Sequence, residues 1–264
     1  MYFAAVYDTF MEEVPREKWA AFIKEKLNNA NINDGIILDL GCGTGAMTRI
    51  FADFGYDMIG VDGSAEMLNE AREEENRIMY LCQDFTELEL YGTVAAVFSC
   101  CDCMNYITDK DDLCKVFKLV NNYLEKKGLF IFDINTEYKY KEILADNVFA
   151  EDALCSAFIW QNSYDEETKI NNYGLTLFIS DEYDESAYED TAYYRCYEEH
   201  CQKAYSLDEI KELLEKAGME FVGAFVDYTD LEINDSTASD ERVKTAERIT
   251  IIAREGFQEG KYYE

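Results

Sequence analysis

A short glycine-rich segment, LDLGCGTG at residues 38–45, has the composition of a ligand-binding loop. It places Gly41, Gly43 and Gly45 within five positions and a carboxylate, Asp39, two residues before the first glycine. A glycine loop that opens a helix usually binds a nucleotide, because the backbone can approach the ligand and the helix N-terminus carries partial positive charge. The carboxylate is expected to repel a phosphate, so the ligand must be one that tolerates Asp39.

One interpretation of this loop is a dinucleotide site. GCGTGA at 41–46 satisfies the pattern G-x-G-x-x-[GA], and Asp62 follows at the distance where such proteins place the acid that binds ribose. A pyrophosphate on the loop would lie near Asp39, however, and like charges about 4 Å apart repel by roughly 4 kcal/mol at an effective dielectric constant of about 20. An NAD-dependent oxidoreductase is therefore the weaker alternative.

S-adenosylmethionine fits the same residues without this conflict. It carries an adenosine ribose and no phosphate, its methionyl ammonium can pair with Asp39, and its sulfonium is positive. Asp62 ends a predicted strand, where it can accept hydrogen bonds from both ribose hydroxyls, each worth about 1.5–3 kcal/mol. The glycines let the backbone approach the methionyl group.

Three motifs in order resemble those of the class I S-adenosylmethionine-dependent methyltransferases, and the resemblance covers nearly the whole chain. LDLGCGTG is similar to the first motif, GVDGSAEML at 60–68 to the second and CQDF at 82–85 to the third. In this family the second motif supplies the ribose acid and an adenine contact, and the third faces the adenine amino group. The cofactor-binding residues implied are Asp39, Gly41, Cys42, Gly43, Gly45, Asp62, Gly63, Met67, Asp84 and Phe85.

Two further segments resemble the family more weakly. YDTFM at 7–11 is similar to an element that folds over the cofactor in related small-molecule methyltransferases, which implies that Tyr7 contacts the methionyl end. CCDCMNYI at 100–107 follows the fourth predicted strand, where the family places residues beside the transferred methyl group. The residues implied there are Cys101, Asp102, Asn105 and Tyr106, and Cys100 joins Cys101 among the cofactor contacts.

His200 is the only histidine of the chain and is therefore the obvious general base near neutral pH. Its neighbours Glu198 and Glu199 would favour the protonated form, which argues against that role. With Tyr7, Asp102 and Tyr106, His200 completes the candidate catalytic residues.

Plainer roles remain open for several of these side chains. Asp39 could hydrogen-bond the loop backbone, and Asp102 could cap the next turn. Met67 and Tyr106 could belong to the hydrophobic core.

The pattern of elements predicts how these motifs are positioned. Short apolar runs at 36–40, 57–62, 77–82, 93–100 and 129–134 alternate with amphipathic helices at 15–28, 44–54, 64–74 and after Thr108. This alternation predicts an α/β fold with a Rossmann-like, doubly wound, seven-stranded and mostly parallel sheet. The last strand, in ERITIIARE, is expected to run antiparallel, as it does in the family.

Residues 148–205 interrupt this rhythm with long, Tyr-rich segments of period two, which predict an antiparallel β insertion within a single domain, 1–264. The insertion is expected to form a lid over the substrate pocket. Its acidic part, 181–199, is expected to be a solvated hairpin or, alternatively, a wall that binds a cation. SLDE at 206–209 is a capping box that opens the next helix.

The net charge of −31, from 55 acidic and 24 basic residues, limits the partners. Such a surface repels nucleic acids and anionic membranes over a Debye length of about 8 Å. A neutral or cationic small molecule is the expected substrate, methylated on N or O, and the protein is expected to be a monomer or homodimer. A cofactor-binding regulatory module without turnover is the second alternative.

Nine cysteines, mostly in apolar runs, indicate reduced thiols in a cytoplasmic protein. Cys100 with Cys103, and Cys196 with His200, have zinc-site spacings, but the two pairs lie far apart in sequence and we expect no bound metal. The N-terminus shows no signal-peptide pattern and no segment is apolar enough to span a membrane.

Overall fold

The computed structural model describes residues 2–153, 156–180, 192–257 and 261. The main sheet consists of β1 Ile36–Leu40, β2 Asp57–Asp62, β3 Met79–Cys82, β4 Val94–Ser99, β5 Leu124–Asn135, β10 Glu220–Val226 and β11 Arg248–Arg254. A second sheet consists of β6 Val148–Ala153, β7 Ser156–Asp165, β8 Ile170–Ile179 and β9 Tyr194–Lys203. The helices are α1 Tyr2–Phe10, α2 Arg16–Asn29, α3 Ala46–Asp53, α4 Ala65–Glu74, α5 Lys110–Tyr123, α6 Leu207–Lys216 and α7 Glu241–Lys244.

The main sheet confirms the predicted Rossmann-like α/β fold. Its strand order is β10-β11-β5-β4-β1-β2-β3, and β11 pairs antiparallel with both of its neighbours. The remaining pairs are parallel. Because the order reverses between β1 and β4, the carboxyl ends of these strands border the crevice where open α/β sheets bind ligands.

Helices cover both faces of the main sheet. On one face, α2 and α3 bury Phe22, Ile23 and Phe51 against strand side chains. On the other face, α5 presents Leu113, Phe117 and neighbouring apolar residues at helical spacing, and α6 packs beside it. Ser206 and Glu209 form the predicted capping box at the start of α6. None of the helices in the described ranges has the length and apolar character needed to cross a membrane.

Three elements begin two or more residues away from the start that the sequence predicts. The helix predicted from Thr44 begins at Ala46, because Gly45 adopts a left-handed φ of 78° and forms its N-cap. The fifth strand begins at Leu124 rather than at 129, since Leu124 already pairs with Val94. The third strand begins at Met79, two residues later than expected.

The second sheet lies within the segment 148–205 for which the sequence predicts an antiparallel insertion. Its order is β6-β7-β8-β9, with each neighbour antiparallel. Residues 181–191 of the predicted acidic hairpin lie outside the described residues. The acidic segment that follows contributes β9.

The insertion is fixed to the main domain by apolar and polar contacts. Its inner face packs on α1, where Val6 contacts Leu177 and the rings of Phe10 and Phe158 meet edge to face at 4.8 Å. At the other end, Asn105 Nδ2 donates to the backbone oxygen of Lys203 at 2.8 Å. The two sheets therefore share a packed boundary beside the crevice.

A buried ion network fixes the chain directly after β4. Asp133 of β5 has no exposed surface, and its carboxylate accepts from the backbone N–H groups of Cys101 and Asp102 and from the Tyr228 hydroxyl. Arg248 supplies the counter-charge, lying 2.8 Å from Asp133 and 2.9 Å from Asp102. The bonds to Asp133 hold Cys101 and Asp102 in left-handed conformations, with φ of 62° and 53°.

Replacing Arg248 with methionine should destabilise the protein by about 3–5 kcal/mol, because it leaves the Asp133 carboxylate buried without its counter-charge. Urea unfolding measures the change. Arg254→Met on the same strand is the matched control, since Arg254 pairs with the exposed Glu220 and such surface pairs contribute about 1 kcal/mol or less. Equal losses in the two variants would contradict the assigned importance of the buried network.

Candidate functional site

A cavity of about 640 Å³ lies at the carboxyl ends of β1, β2 and β4. It brings together most of the residues singled out in the sequence. Those that line it are Tyr7, Asp39, Gly41, Cys42, Gly43, Asp62, Gly63, Met67, Asp84, Phe85, Cys100, Cys101, Tyr106 and His200. Gly45, Asp102 and Asn105 are not among the lining residues.

The three loop glycines serve different purposes. Gly43 has a φ of 52°, and a Cβ added there would meet no atom within 4 Å, so the loop leaves space toward the cavity. Gly41 lies against Cys103, whose sulfur would be 2.5 Å from an added Cβ. Gly45 packs against Tyr80, whose hydroxyl would be 2.6 Å from its Cβ. Gly45 therefore serves helix–strand packing and the left-handed turn rather than lining the cavity.

Asp39 is a buried carboxyl group at the base of the cavity. It is only 1 % exposed, and its Oδ2 accepts a 2.6 Å hydrogen bond from the Thr48 hydroxyl. Burial, with a contribution from the negative charge of Asp62, raises the pKa of Asp39 to about 7, although the Thr48 bond opposes this. A cationic group on the ligand would stabilise the carboxylate, whereas a phosphate would raise its pKa further.

Asp62 and Asp84 are held by local backbone hydrogen bonds. Asp62 Oδ2 accepts from Gly43 N and Oδ1 accepts from Ser64 N, each at 2.8 Å. Burial raises the pKa of Asp62 and these bonds lower it, with a net rise. Asp84 uses Oδ1 to accept from Thr86, which leaves Oδ2 without a donor among the described residues. Both acids thus retain acceptor capacity toward a ligand.

Arg16 is a functional candidate that the sequence reasoning missed. It is the one Lys or Arg among the described lining residues, and it pairs with Asp8 at 3.1 Å. Asp8 also accepts from the Thr44 hydroxyl at 3.0 Å, so it links α1 to the glycine loop. The available signal was a basic residue directly after the single proline, close to the YDTFM segment. Arg16 is the group best suited to a ligand carboxylate.

Tyr7 lies on α1, and its hydroxyl is near the turn that follows β4. Burial, together with the neighbouring Cys101, Cys103 and Asp102, raises the pKa of Tyr7 well above its usual value. The hydroxyl is therefore neutral, and it can donate or accept a hydrogen bond at the methionyl end expected for this cavity.

Asp102 and Asn105 have structural tasks instead of facing the cavity. Asp102 pairs with Arg248 and accepts from Gln202 Nε2 at 2.7 Å. Burial would raise the pKa of Asp102, but the charges of Arg248 and Lys139 and the hydrogen bonds from Gln202 and Arg248 together outweigh it, and the pKa is lowered. Asn105 is fully buried and bonds the backbone of Asn135 through both ends of its amide. The left-handed turn at 101–102 turns these two side chains away from the position that the sequence suggested.

His200 and Tyr106 meet at the wall formed by the insertion. Tyr106 Oη lies 3.3 Å from His200 Nδ1 and hydrogen-bonds the hydroxyl of Tyr173. Burial lowers the pKa of His200, although Glu198 opposes this shift. The sequence argument that two glutamates favour the protonated form of His200 holds for Glu198 alone, because Glu199 lies on the opposite face of β9, and burial outweighs Glu198.

The described residues contain no group of three His, Cys, Asp or Glu side chains placed to hold a metal ion. The eight described cysteines are free thiols.

The donor set fits S-adenosylmethionine better than a dinucleotide. Asp62 and Asp84 offer acceptors to a ribose and an adenine amino group, and Met67 and Phe85 offer apolar contacts between them. Asp39 and Arg16 provide a carboxylate and a guanidinium, which suit the ammonium and the carboxylate of an amino-acid moiety. A pyrophosphate would instead be repelled by the carboxylates of Asp39 and Asp62, and Arg16 is the one cationic side chain in the described lining that could offset this repulsion.

Comparison with known proteins points to the same chemistry. Residues 37–128 match the family model described as "Methyltransferase domain". The chain is 31% identical to "Putative methyltransferase YqeM" of Bacillus subtilis over 95% of its length and 98% of that protein. An S-adenosylmethionine-dependent methyltransferase from Clostridium acetobutylicum is 30% identical, with a TM-score of 0.81 over 97% of this chain and 98% of that one.

A more distant structure shares the fold. CalS10 from Micromonospora echinaspora, an amino pentose methyltransferase solved with bound S-adenosylmethionine, is 15% identical and has a TM-score of 0.70. The alignment covers 97% of this chain and 98% of that one.

Asp62→Ala should weaken the binding of S-adenosylhomocysteine by about 1.5–3 kcal/mol, roughly 10- to 150-fold, because it removes the acceptor assigned to the ribose. It should also lower stability, since Gly43 N and Ser64 N lose their acceptor. Calorimetric titration measures the first effect and urea unfolding the second. Asp57→Ala, at the exposed start of the same strand, is the control for both. An unchanged affinity in Asp62→Ala would place the ribose elsewhere.

Binding of S-adenosylmethionine should depend on pH through Asp39. With a pKa of about 7 the carboxyl is partly protonated near neutral pH, and pairing with the methionyl ammonium would lower that pKa. Binding at about pH 7 should therefore release a fraction of a proton, and the affinity should rise between about pH 6 and pH 8. Calorimetry in two buffers of different ionisation enthalpy measures the proton release. A pH-independent affinity would mean that binding does not change the pKa of Asp39, and therefore that the methionyl ammonium does not pair with it.

Asp39→Asn provides the companion variant. The folded-state pKa of about 7 exceeds the ordinary value of 3.8, so the folded protein holds more protons than the unfolded chain between these values and its stability falls as pH rises through that window. The amide that replaces the carboxyl group cannot titrate, so urea unfolding across this pH range should show a smaller fall in the variant. Its affinity for the cofactor should be weaker and should lose the pH dependence.

Proposed function

Because the chain belongs to the class I S-adenosylmethionine-dependent methyltransferases, we propose that it transfers a methyl group from this cofactor to a nitrogen or oxygen of a small molecule. The main observation behind the proposal is that one cavity is lined both by residues of the cofactor motifs and by Tyr106 and His200. The volume of about 640 Å³ is in the range of small-molecule sites, which is about 300–1,000 Å³.

The cofactor is assigned along the crevice by the chemistry of its walls. Asp62 would accept hydrogen bonds from the ribose hydroxyls, and Met67 and Phe85 would contact the adenine beside Asp84. At the other end, Asp39 would pair with the methionyl ammonium and Arg16 with the carboxylate. The residual surface near Tyr7, Tyr106 and His200 receives the acceptor.

S-adenosylmethionine supplies an electrophilic methyl group on its sulfonium. The protein therefore has to align the acceptor with that carbon and exclude water, and such positioning can account for about 7–11 kcal/mol of the barrier. Tyr7 and the buried thiols of Cys100 and Cys101 are uncharged, because burial raises the pKa of each. These three side chains line the cavity and would offer the reacting carbon groups that neither compete as anions nor strongly solvate the positive charge that disperses during transfer.

α1 and the insertion act as the lid of the site. Tyr7 on α1 and His200 on β9 both line the cavity. The apolar contacts between α1 and β8 join these two elements into one cover, and Asp8 tethers it to Thr44 and Arg16.

The charge distribution favours a neutral or cationic acceptor. Asp109, Asp112 and Glu198 line the cavity, and Arg16 is engaged by Asp8. With a net charge of −31, the whole chain also repels anions at long range. The amino pentose acceptor named for CalS10 is consistent with an amine, whereas the fold alone does not select N over O.

An acceptor screen tests the proposal. The purified protein is incubated with S-adenosylmethionine and panels of primary and secondary amines, phenols and aliphatic alcohols, and both S-adenosylhomocysteine and methylated product are quantified. We expect product from at least one neutral or cationic acceptor and a strong reduction with Asp62→Ala. Tight cofactor binding without product from any panel would favour a regulatory module that has kept the fold but lost turnover.

A further inference from the structure

Three polar side chains from three different elements converge at the acceptor side of the cavity. Tyr106 lies on the 3₁₀ turn after β4, Tyr173 on β8 and His200 on β9. The hydroxyls of Tyr106 and Tyr173 are hydrogen-bonded, and Tyr106 Oη lies 3.3 Å from His200 Nδ1. Tyr106 is 67 positions from Tyr173 and 94 positions from His200 in the sequence, so only the fold creates this group.

The imidazole is held firmly in one orientation. The ring of Tyr173 stacks on it with centroids 4.6 Å apart and an interplanar angle of 11°, and Phe3 of α1 lies edge-on at 6.1 Å. These contacts aim Nδ1 at Tyr106 and turn Nε2 toward Glu198, whose Oε2 is 3.6 Å away. Nε2 is buried and has no hydrogen-bond partner in the described part of the chain.

The surrounding groups leave His200 neutral and able to accept a proton. Burial lowers its pKa, and Glu198 on the same strand is the one carboxylate that raises it. The other titratable groups that face it are the hydroxyls of Tyr106 and Tyr173, both of which have pKa values raised by burial, and Tyr7 of α1 lies behind Phe3. All three hydroxyls are therefore uncharged near neutral pH.

The carboxylate of Glu198 favours one tautomer of His200, because its Oε2 lies 3.6 Å from Nε2 and attracts a hydrogen on that nitrogen. Tyr106 can donate to Nδ1 only if that nitrogen carries no hydrogen, which leaves the hydrogen on Nε2 directed toward Glu198. Tyr173 can donate to Tyr106 in turn, so the chain of donors runs from Tyr173 through Tyr106 to His200. In this arrangement Tyr106 Oη accepts from Tyr173 and donates to His200, so its second lone pair can accept a hydrogen bond from a group in the cavity.

We propose that Tyr106 and His200 form a proton-accepting pair for the methyl acceptor, with Glu198 stabilising the imidazolium and Tyr173 holding the ring in place. The acceptor N–H or O–H donates to Tyr106 Oη. As the acceptor's lone pair forms the new bond to the methyl carbon, the C–S electron pair returns to sulfur. The acceptor proton passes to Tyr106, whose own proton passes to His200 Nδ1, and the imidazolium later releases it to water.

This inference rests on the proposed methyl transfer and adds a requirement to it. The acceptor atom must carry a dissociable proton, as in a primary or secondary amine, a phenol or an alcohol. Tertiary amines and thioethers should not depend on the pair. Tyr106 is 41 % exposed although its hydroxyl is bonded, which places it where an acceptor and water can both reach it.

The first experiment needs no acceptor. Because His200 is the only histidine, protein without a His tag and labelled with ¹⁵N-histidine gives one imidazole spin system, whose long-range ¹H–¹⁵N correlations report tautomer and titration directly. We expect the Nε2–H tautomer at neutral pH and a pKa below the ordinary 6.5. Tyr106→Phe should raise that pKa, and Glu198→Gln should lower it further. An Nδ1–H tautomer, or an imidazolium at neutral pH, would overturn the proposal.

The second experiment uses an acceptor found in the screen. Tyr106→Phe and His200→Gln should each lower kcat about 100-fold or more, while the Kd of S-adenosylhomocysteine changes by no more than about twofold. Tyr197→Phe removes a hydroxyl from the outer face of β9 and serves as the matched control. Unchanged kcat, or a parallel loss of cofactor affinity, would show that the cluster is structural.

The dependence of kcat on pH distinguishes amine acceptors from alcohol acceptors. In the wild type, the acid limb of kcat should follow the His200 titration, and it should disappear in His200→Gln. An amine acceptor should regain activity in that variant at high pH, because it deprotonates in solution, whereas an alcohol should not. If the wild type methylates nothing, the proposed function fails on its own, and the ¹⁵N measurement still decides whether His200 is the neutral acceptor described above.

Discussion

The geometry of the site depends on one buried carboxylate, Asp133. It lies at the carboxyl end of β5 and binds two successive backbone N–H groups of the turn after β4. Both residues of that turn are left-handed and neither is glycine, so the hydrogen bonds and the Arg248 ion pair must offset a conformational cost of about 1–3 kcal/mol for each residue. The turn places Cys101 on the cavity and starts the 3₁₀ helix that carries Tyr106. The parts of the cavity assigned to the cofactor and to the methyl acceptor therefore both depend on the hydrogen bonds of Asp133.

Asp39 illustrates a second constraint, because burying its carboxyl group has a free-energy cost that a bound cation can offset. A carboxyl group with a raised pKa destabilises the folded protein at neutral pH, and a ligand cation that pairs with it recovers that free energy. The same principle excludes phosphates, because they would add to the negative charge of Asp39 and Asp62. Discrimination between S-adenosylmethionine and a dinucleotide thus comes from electrostatics at the base of the loop rather than from the glycine pattern.

Sequence reasoning was most successful where a motif coincides with a strand end. Asp39 and Asp62 lie at the carboxyl ends of β1 and β2, and Asp84 follows β3. Parallel strands bring their carboxyl ends to one edge, so the convergence of these three residues could be predicted. It failed where side-chain direction depends on tertiary contacts. Asp102 follows a buried strand in the same way, but the turn imposed by Asp133 directs it to Arg248, which lies 146 residues away. Tyr173 carries no local pattern that distinguishes it from a surface or core residue, and the position of Arg16 directly after Pro15 does not indicate which way its side chain points.

The insertion and the main domain divide the work of the site between them. The groups assigned to the cofactor, apart from Tyr7 and Arg16 near the N-terminus, come from the strand ends of the main sheet and from the segments that follow them, such as Met67 on α4. The acceptor wall combines Tyr106 of the main domain with His200 and Glu198 of β9, and Gln202 and Lys203 of the same strand bond to Asp102 and Asn105. Substitutions on the inner face of the insertion can therefore change the acceptor without altering the cofactor contacts. A substitution that shifts the turn at 101–102 would affect both parts of the site, because Gln202 of β9 is hydrogen-bonded to Asp102 and β9 would move with the turn.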